Sequence, residues 1–475
     1  MKIIEVNKIN KNRYGEIFTP EYFVKEMFNL FSLNEKFQKL LENKDLKWLD
    51  TGSGTGNFSL ILFEKLNLYL KKTIKDDIER KDHIIKNMIY MIEINIDNIE
   101  ILKTKFGDNA NIYHANFIEN KEIFNDIEFD VIIGNPPFNC NGIKKTPTNK
   151  IKNKKQDGKM VWMDFVKKSI SLLKLNGKLL YIIPSIWMKP DKYNNYYYLL
   201  QYKIHYLHTL TNYETNKIFN KEAQTPTCYF LLSKIKSNNY INIYDKSINK
   251  YINYKININN PIPLFGQSII RKLNTHLNKV GSLKIYKTNL PGKNIKINTD
   301  CNNDFYKYKN VKTCILTNKY YPELVFNYTN LPLKYYNIPK LILAHKMYGF
   351  PYLDITGEYG ISNRDNYVIL GNKENSNDAN KKLDSEYYSL EELKQIQKFL
   401  STKTALYIFE STRYRMKFLE KYAFDLIPDI TKLQDFTKDI HEITDEYIYE
   451  YFKLDDDEIK SINKLHKKNY VFFPI

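Results

Sequence analysis

The sequence predicts an α/β protein, with a doubly wound sheet over residues 1–235 followed by a mixed α+β domain over 236–475. Three observations lead there. A chain of 475 residues exceeds what one ordinary core holds, and 43% hydrophobic residues suffice to fill two. The first 235 residues alternate strand-like apolar runs with helical patterns, as a parallel sheet covered by helices requires. From about Lys236 that alternation gives way to short Tyr- and Asn-rich runs broken by Pro and Gly.

The strands of the first domain are read at 47–50, 88–93, 112–115, 130–134 and 178–184, with a further strand at 227–232. Amphipathic stretches at 58–70 and 162–173 carry apolar residues at helical spacing. Each strand ends in a polar or glycine-bearing loop, and in open parallel sheets such carboxyl-end loops form the ligand crevice. In the second domain the pattern turns helical and more acidic from Ser389, and the run from Asp455 to Glu458 reads as a solvated helix start. No internal repeat is visible.

Four cysteines (Cys140, Cys228, Cys301 and Cys314) stand far apart, without a CxxC pair or a nearby histidine cluster. That argues against a disulfide framework and against a metal site, and fits a reducing, cytoplasmic compartment. The N-terminus has no signal-peptide core, and no window reaches the length of apolar residues that spans a bilayer. A formal charge of +18 makes a polyanion the expected partner. The excess concentrates in residues 231–350, where 19 Lys and Arg face 4 Asp and Glu. An AT-rich coding bias is the bland alternative for this lysine content.

Residues 48–57 read Trp-Leu-Asp-Thr-Gly-Ser-Gly-Thr-Gly-Asn, a strand, a glycine loop and a helix start. Gly52, Gly54 and Gly56 let the backbone turn sharply and approach a ligand, be it a dinucleotide or an adenosyl cofactor. Glu93 ends the next strand, where its carboxylate either accepts from ribose hydroxyls or faces solvent.

Residues 130–138 read Asp-Val-Ile-Ile-Gly-Asn-Pro-Pro-Phe, a buried strand ending in Asn135, Pro136, Pro137 and Phe138. The prolines stiffen the turn, so that the Asn135 side-chain oxygen and the Pro136 carbonyl converge on one point. Two acceptors there suit a planar amino group: accepting both N–H hydrogens favours a pyramidal nitrogen whose lone pair meets an electrophile. Phe138 offers a face for a flat ring. The alternative is a proline-stiffened turn and nothing more.

With these motifs the chain resembles the adenine-N6 DNA methyltransferases of type II restriction-modification systems, in the class whose cofactor motifs precede the Asn-Pro-Pro-aromatic motif and whose target-recognition domain comes last. The likeness extends to Tyr14-Gly-Glu-Ile-Phe-Thr-Pro20, similar to that family's opening motif. The resemblance implies a Rossmann-like catalytic domain at 1–235 and a target-recognition domain at 236–475. It also implies S-adenosyl-L-methionine as cofactor: Thr19, Asp50 and the glycine loop on its methionine end, Glu93 on its ribose, Asn116 and Phe117 on its adenine. Asn116 departs from the family's usual aspartate, and Thr51-Gly52-Ser53 from its commoner Pro-Ala-Cys. Thr19 and Pro20 also read as N-cap and first residue of a helix at 21–31.

The family supplies a second aromatic wall for the flipped base, and Phe219 stands at that place; as a core residue it reads equally well. The loop 139–159, with seven lysines and one acid, either clamps a DNA backbone beside the target or is a surface loop. Weaker likenesses run through 339–345, 357–361, 426–430 and 444–446. Arg364, Arg413 and Arg415 reach base edges or phosphates, or make ordinary surface pairs.

The expected activity is therefore methyl transfer to N6 of a flipped adenine in duplex DNA. Its rivals are RNA adenine methylation, methylation of a protein glutamine amide, which uses the same motif, and a non-catalytic DNA-binding subunit. The chain begins almost at the opening motif and Pro428-Asp429 has no convincing Glu-x-Lys partner on a neighbouring strand, so any cognate restriction endonuclease is expected as a separate chain; whether one exists is not legible. The recognition sequence and the oligomeric state are not legible.

Overall fold

Parallel strands buried on both faces order the N-terminal half. The computed structural model describes residues 8–120, 122–141, 158–288, 291–299, 303–316, 322–344, 351–362, 366–372, 387–415 and 419–465. The chain divides into two compact units, one of residues 1–244 and 251–258, the other of residues 245–250 and 259–475. No helix among the described residues is long and apolar enough to cross a membrane.

The first unit is built on a sheet of nine strands among the described residues: β1 (Trp48–Thr51), β2 (Ile89–Glu93), β3 (Asn111–His114), β4 (Phe129–Gly134), β5 (Leu173–Pro184), β6 (Tyr202–Leu210), β7 (Thr227–Lys236), β8 (Tyr240–Asp245) and β9 (Lys250–Lys255). Their spatial order is β9-β8-β6-β7-β5-β4-β1-β2-β3. Pairing is parallel from β3 through β2, β1 and β4 to β5, while β7 runs antiparallel to both β5 and β6. This is the doubly wound α/β sheet read from the sequence. The chain builds outward from β1 to β3 and then returns to place β4 on the other side of β1. At that reversal the loops after β1 and β4 open side by side, which is where open sheets bind ligands.

Every residue of β1 and β2 is buried, as strands covered on both faces must be. The helix Glu21–Ser32 turns Phe23, Val24, Met27, Phe28 and Phe31 into the core at helical spacing, and Asn57–Tyr69 adds Phe58, Ile61, Leu62 and Leu66. The N-cap of Glu21–Ser32 is Pro20, without a side-chain bond, rather than Thr19. The Thr19 hydroxyl is turned elsewhere, as described below.

The first unit reaches past the expected boundary at 235 to residue 258, because β8 pairs in parallel with β6 and β9 extends the same edge. The second unit holds two four-stranded sheets among the described residues. One joins Tyr286–Lys287, Asn366–Leu370, Lys340–Ala344 and Tyr352–Asp354; the other joins Ile297–Asn298, Pro322–Thr329, Tyr308–Leu316 and Tyr359–Ile361. Lys340 and Asp354 form a buried ion pair at 2.5 Å, and Asp354 also accepts from the amides of Glu358 and Tyr359. Helices follow, as the pattern from Ser389 predicts: Leu390–Leu400 starts in a capping box of Ser389 and Glu392. The acidic run begins the helix Asp456–Leu465, but it is not wholly solvated, since buried Glu458 pairs with Lys272 at 2.5 Å. Asp429, of the Pro-Asp pair, is buried and bonded to Tyr388, Thr431 and Lys432.

Candidate active site

The glycine loop between β1 and the helix Asn57–Tyr69 uses left-handed backbone at Gly52, Gly54 and Gly56, with φ of 66°, 54° and 86°. Two of them also leave little room for a side chain. A Cβ at Gly56 would lie 2.7 Å from Leu102, where the helix Ile96–Phe106 packs against the loop; one at Gly54 would press on the Phe18 ring at 3.1 Å. The Ser53 amide donates to the Ile92 carbonyl and the Gly54 amide to Glu93 Oε2 at 2.7 Å, so the loop is tied to the end of β2.

Glu93 is almost fully buried, and its other oxygen accepts from the amides of Ile94 and Asn95 at 3.0 and 2.8 Å. Burial pushes its pKa up; the amides of Asn95, Gly54 and Ile94 pull down, and the nearby Glu16 charge pushes up. Glu16 is itself held by Asn98 Nδ2 at 2.6 Å and Asn95 Nδ2 at 3.3 Å. Asp50, expected at the methionine end, is buried under the loop with Oδ2 accepting from Ser59 Oγ at 2.7 Å, and does not line the cavity. Burial is the main reason its pKa rises to about 7.

After β3, the Asn116 side-chain oxygen accepts from the amides of Ile118 and Glu119 at 3.0 and 3.3 Å, fixing the turn. Phe117 is buried against Phe165, with ring centroids 5.1 Å apart and planes 34° from parallel. Asn116 and Phe117 both line the cavity, though the Asn116 oxygen is engaged by its own turn.

The turn after β4 carries Asn135. Its Nδ2 donates to Thr19 Oγ1 at 3.0 Å and to the Ile17 carbonyl at 3.3 Å, whereas Oδ1 is buried without a partner. Thr19 is buried, and its carbonyl accepts from Asn57 Nδ2 at 2.8 Å, so the opening segment is pinned to the glycine-loop helix and to Asn135 together. Gly15, at φ 73°, brings that segment so near the chain after the turn that a Cβ would fall 2.0 Å from the Asn139 carbonyl. Pro136, Phe138 and Phe219 line a small cleft beside Asn135. Phe219 is 3% exposed and meets Phe23 edge-on at 6.4 Å, so it belongs to the core and borders the cleft at once.

These loops enclose a cavity of about 360 Å³. Of the residues expected from the sequence, Thr19, Gly52, Gly54, Glu93, Asn116, Phe117, Asn135 and Pro137 line it; Pro136, Phe138 and Phe219 border the small cleft, and Asp50 and Gly56 lie behind. Sequence reasoning missed Glu16, Phe18, Asn57 and Phe165, which also line it. Glu16 and Phe18 stand inside the opening motif and Asn57 ends the glycine motif, which is the signal that could have found them; Phe165 has none. Residues 142–157 of the lysine-rich loop, Arg364 and His345 lie outside the described residues. Arg413 is paired with Glu410 at 2.8 Å, and Arg415 is exposed.

No curated protein matches the chain. Among solved structures it is similar to the Type IIL restriction-modification enzyme MmeI in complex with DNA, at 15% identity and TM-score 0.49, covering 97% of this chain and 79% of that one. It is similar also to the type I restriction enzyme EcoKI M protein (14% identity, TM-score 0.35, 48% of each chain). A third is the type I methyltransferase subunit from Streptococcus thermophilus (16%, TM-score 0.33, 52% of each chain). The chain spans about half the length of these two type I subunits. Residues 57–219 match the Eco57I restriction-modification methylase model, a segment that carries Glu93, Asn116, the Asn-Pro-Pro-Phe turn and Phe219.

Proposed function

We propose that this protein transfers the methyl group of S-adenosyl-L-methionine to N6 of an adenine flipped out of duplex DNA. The observation that carries this reading is the buried Asn135 Oδ1, an acceptor without a partner beside the proline turn. A buried polar atom left in that state costs free energy unless a ligand completes it, and a planar amino group supplies the missing donor.

Asn135 Oδ1 accepts one N–H of the adenine amine and the Pro136 carbonyl the other. Together they hold the nitrogen so that its lone pair faces the methyl carbon. Phe138 stacks on the base, and Phe219 forms the opposite wall after a side-chain movement. The glycine backbone at 52–54, Thr19, Glu93 and Phe117 would hold the cofactor, with Gly54 leaving room that a Cβ would fill. The cofactor supplies an electrophilic methyl on a sulfonium. The amine loses one proton to solvent after transfer, and no strong base is needed.

DNA as substrate rests on the +18 charge, the basic segment 231–350 and the description of the matched family. The second unit would read the target sequence. The test is incubation with labelled cofactor and duplex DNA, RNA or protein, followed by nucleoside and amino-acid analysis. Label in N6-methyladenine from DNA is expected. Label in glutamine, or in RNA alone, overturns the reading.

A further inference from the structure

An asparagine amide can occupy its site in two orientations, with oxygen and nitrogen exchanged, and only one serves the reaction above. Asn135 is surrounded on one side by two acceptors of the opening segment, Thr19 Oγ1 at 3.0 Å and the Ile17 carbonyl at 3.3 Å. The Ile17 carbonyl can only accept, so it selects the nitrogen; Thr19 adds a second acceptor at the shorter distance. Oδ1 is thereby turned to the remaining side, buried and unpartnered. Thr19 is itself fixed, 4% exposed and with its carbonyl bonded to Asn57 Nδ2 at 2.8 Å. Its hydroxyl does not cap the helix that follows.

We infer that Thr19 is a positioning residue for the methyl-transfer step: with the Ile17 carbonyl it locks the Asn135 amide so that Oδ1, and not Nδ2, faces the substrate amine. This rests on the activity proposed above, and it assigns Thr19 a task besides the cofactor contact expected from its motif. In the flipped orientation Nδ2 would meet the amine hydrogens donor to donor, and Oδ1 would meet the Ile17 carbonyl acceptor to acceptor. A residue that only held the cofactor would show itself in cofactor KM; one that orients Asn135 shows itself in kcat.

The experiment uses the full chain, with Thr19→Val and Thr19→Ser beside wild type. Thr19→Val is isosteric and removes the hydroxyl. It is expected to lower kcat for DNA methylation at saturating cofactor about tenfold to a hundredfold, with any loss of the cofactor contact read separately in cofactor KM, while Thr19→Ser restores most of kcat. A rise in cofactor KM with kcat unchanged overturns the inference and leaves the proposed activity standing. The orientation is also read without turnover. In 15N-asparagine-labelled protein, the Asn135 side-chain amide, identified by its loss in Asn135→Ala, is expected to exchange with solvent at least about tenfold faster in Thr19→Val than in wild type. Equal exchange overturns the inference, including in the case where no DNA methylation is found.

Discussion

The Gly54 amide donates to the Glu93 carboxylate at 2.7 Å, so the loop that shapes the cavity floor and the strand end that closes it share one hydrogen bond. Glu93 accepts two further amides, from Ile94 and Asn95. Glu93→Gln keeps the shape but gives one of those donors a donor to face. Bonds to a charged acceptor contribute about 1.5–3 kcal/mol each. Calorimetric titration of S-adenosyl-L-methionine is expected to show affinity lowered at least about tenfold, with the melting temperature down by a few degrees. Unchanged affinity would remove Glu93 from the cofactor site.

Asp50 gives stability a pH dependence. Its pKa rises from 3.8 to about 7 on folding, chiefly through burial. The folded state therefore holds the proton more tightly than the unfolded chain, and Asp50's contribution is complete below about pH 4 and lost as pH climbs through 7. A shift of that size corresponds to about 4 kcal/mol. Asp50→Asn removes the titration, so its denaturation midpoint is expected to vary less than wild type between pH 5 and pH 8. Parallel curves for the two proteins would refute this.

Gly56→Ala tests the packing behind the loop. A side chain at φ 86° is strained, and its Cβ would lie 2.7 Å from Leu102. Left-handed strain and overpacking together cost about 2–4 kcal/mol. Urea denaturation is expected to show that loss, whereas Gly107→Ala, with no atom within 4 Å of its Cβ, should lose only the conformational share.

Within the second unit, Lys340→Ala leaves Asp354 buried without its cation. Both side chains are essentially inaccessible, and burial alone lowers the lysine pKa while Asp354 opposes that. Removing one partner of such a pair costs about 3–5 kcal/mol. Asp354→Asn removes the charge and, with one oxygen for the two amides of Glu358 and Tyr359, loses one of those bonds as well, so it should cost at least as much. A smaller loss in Asp354→Asn than in Lys340→Ala would contradict this.

The sequence revealed β1, β2, β4 and β5 because strands covered on both faces need unbroken apolar runs, as in Leu-Leu-Tyr-Ile-Ile at 179–183. It concealed β6, whose Tyr, His and Thr residues break the apolar run, and β8 and β9, whose Asn- and Tyr-rich strands lie at the sheet edge where one side need not be apolar. Asn135 and the glycines were legible because proline and glycine declare backbone geometry locally. The Asp50 side chain faces Ser59 below the loop, a direction that strand alternation over four residues cannot settle. Glu16 and Phe18 reach the cavity through contacts with residues some 40 to 80 positions away, Asn98 for Glu16 and Gly54 for Phe18, and sequence periodicity contains no term for such pairs.

Residues 245–250 belong to the second unit although the strands on either side, β8 and β9, extend the sheet of the first, so the chain passes between the units three times. A single recombination junction between two relatives therefore cannot hand over the second unit alone. A cut at 258/259 leaves the 245–250 segment with the old parent, and a cut at 235/236 exchanges β8 and β9 as well, so that β6 must pair with a strand of the other parent. Shuffling of this protein's halves is constrained to lineages that match at that short segment.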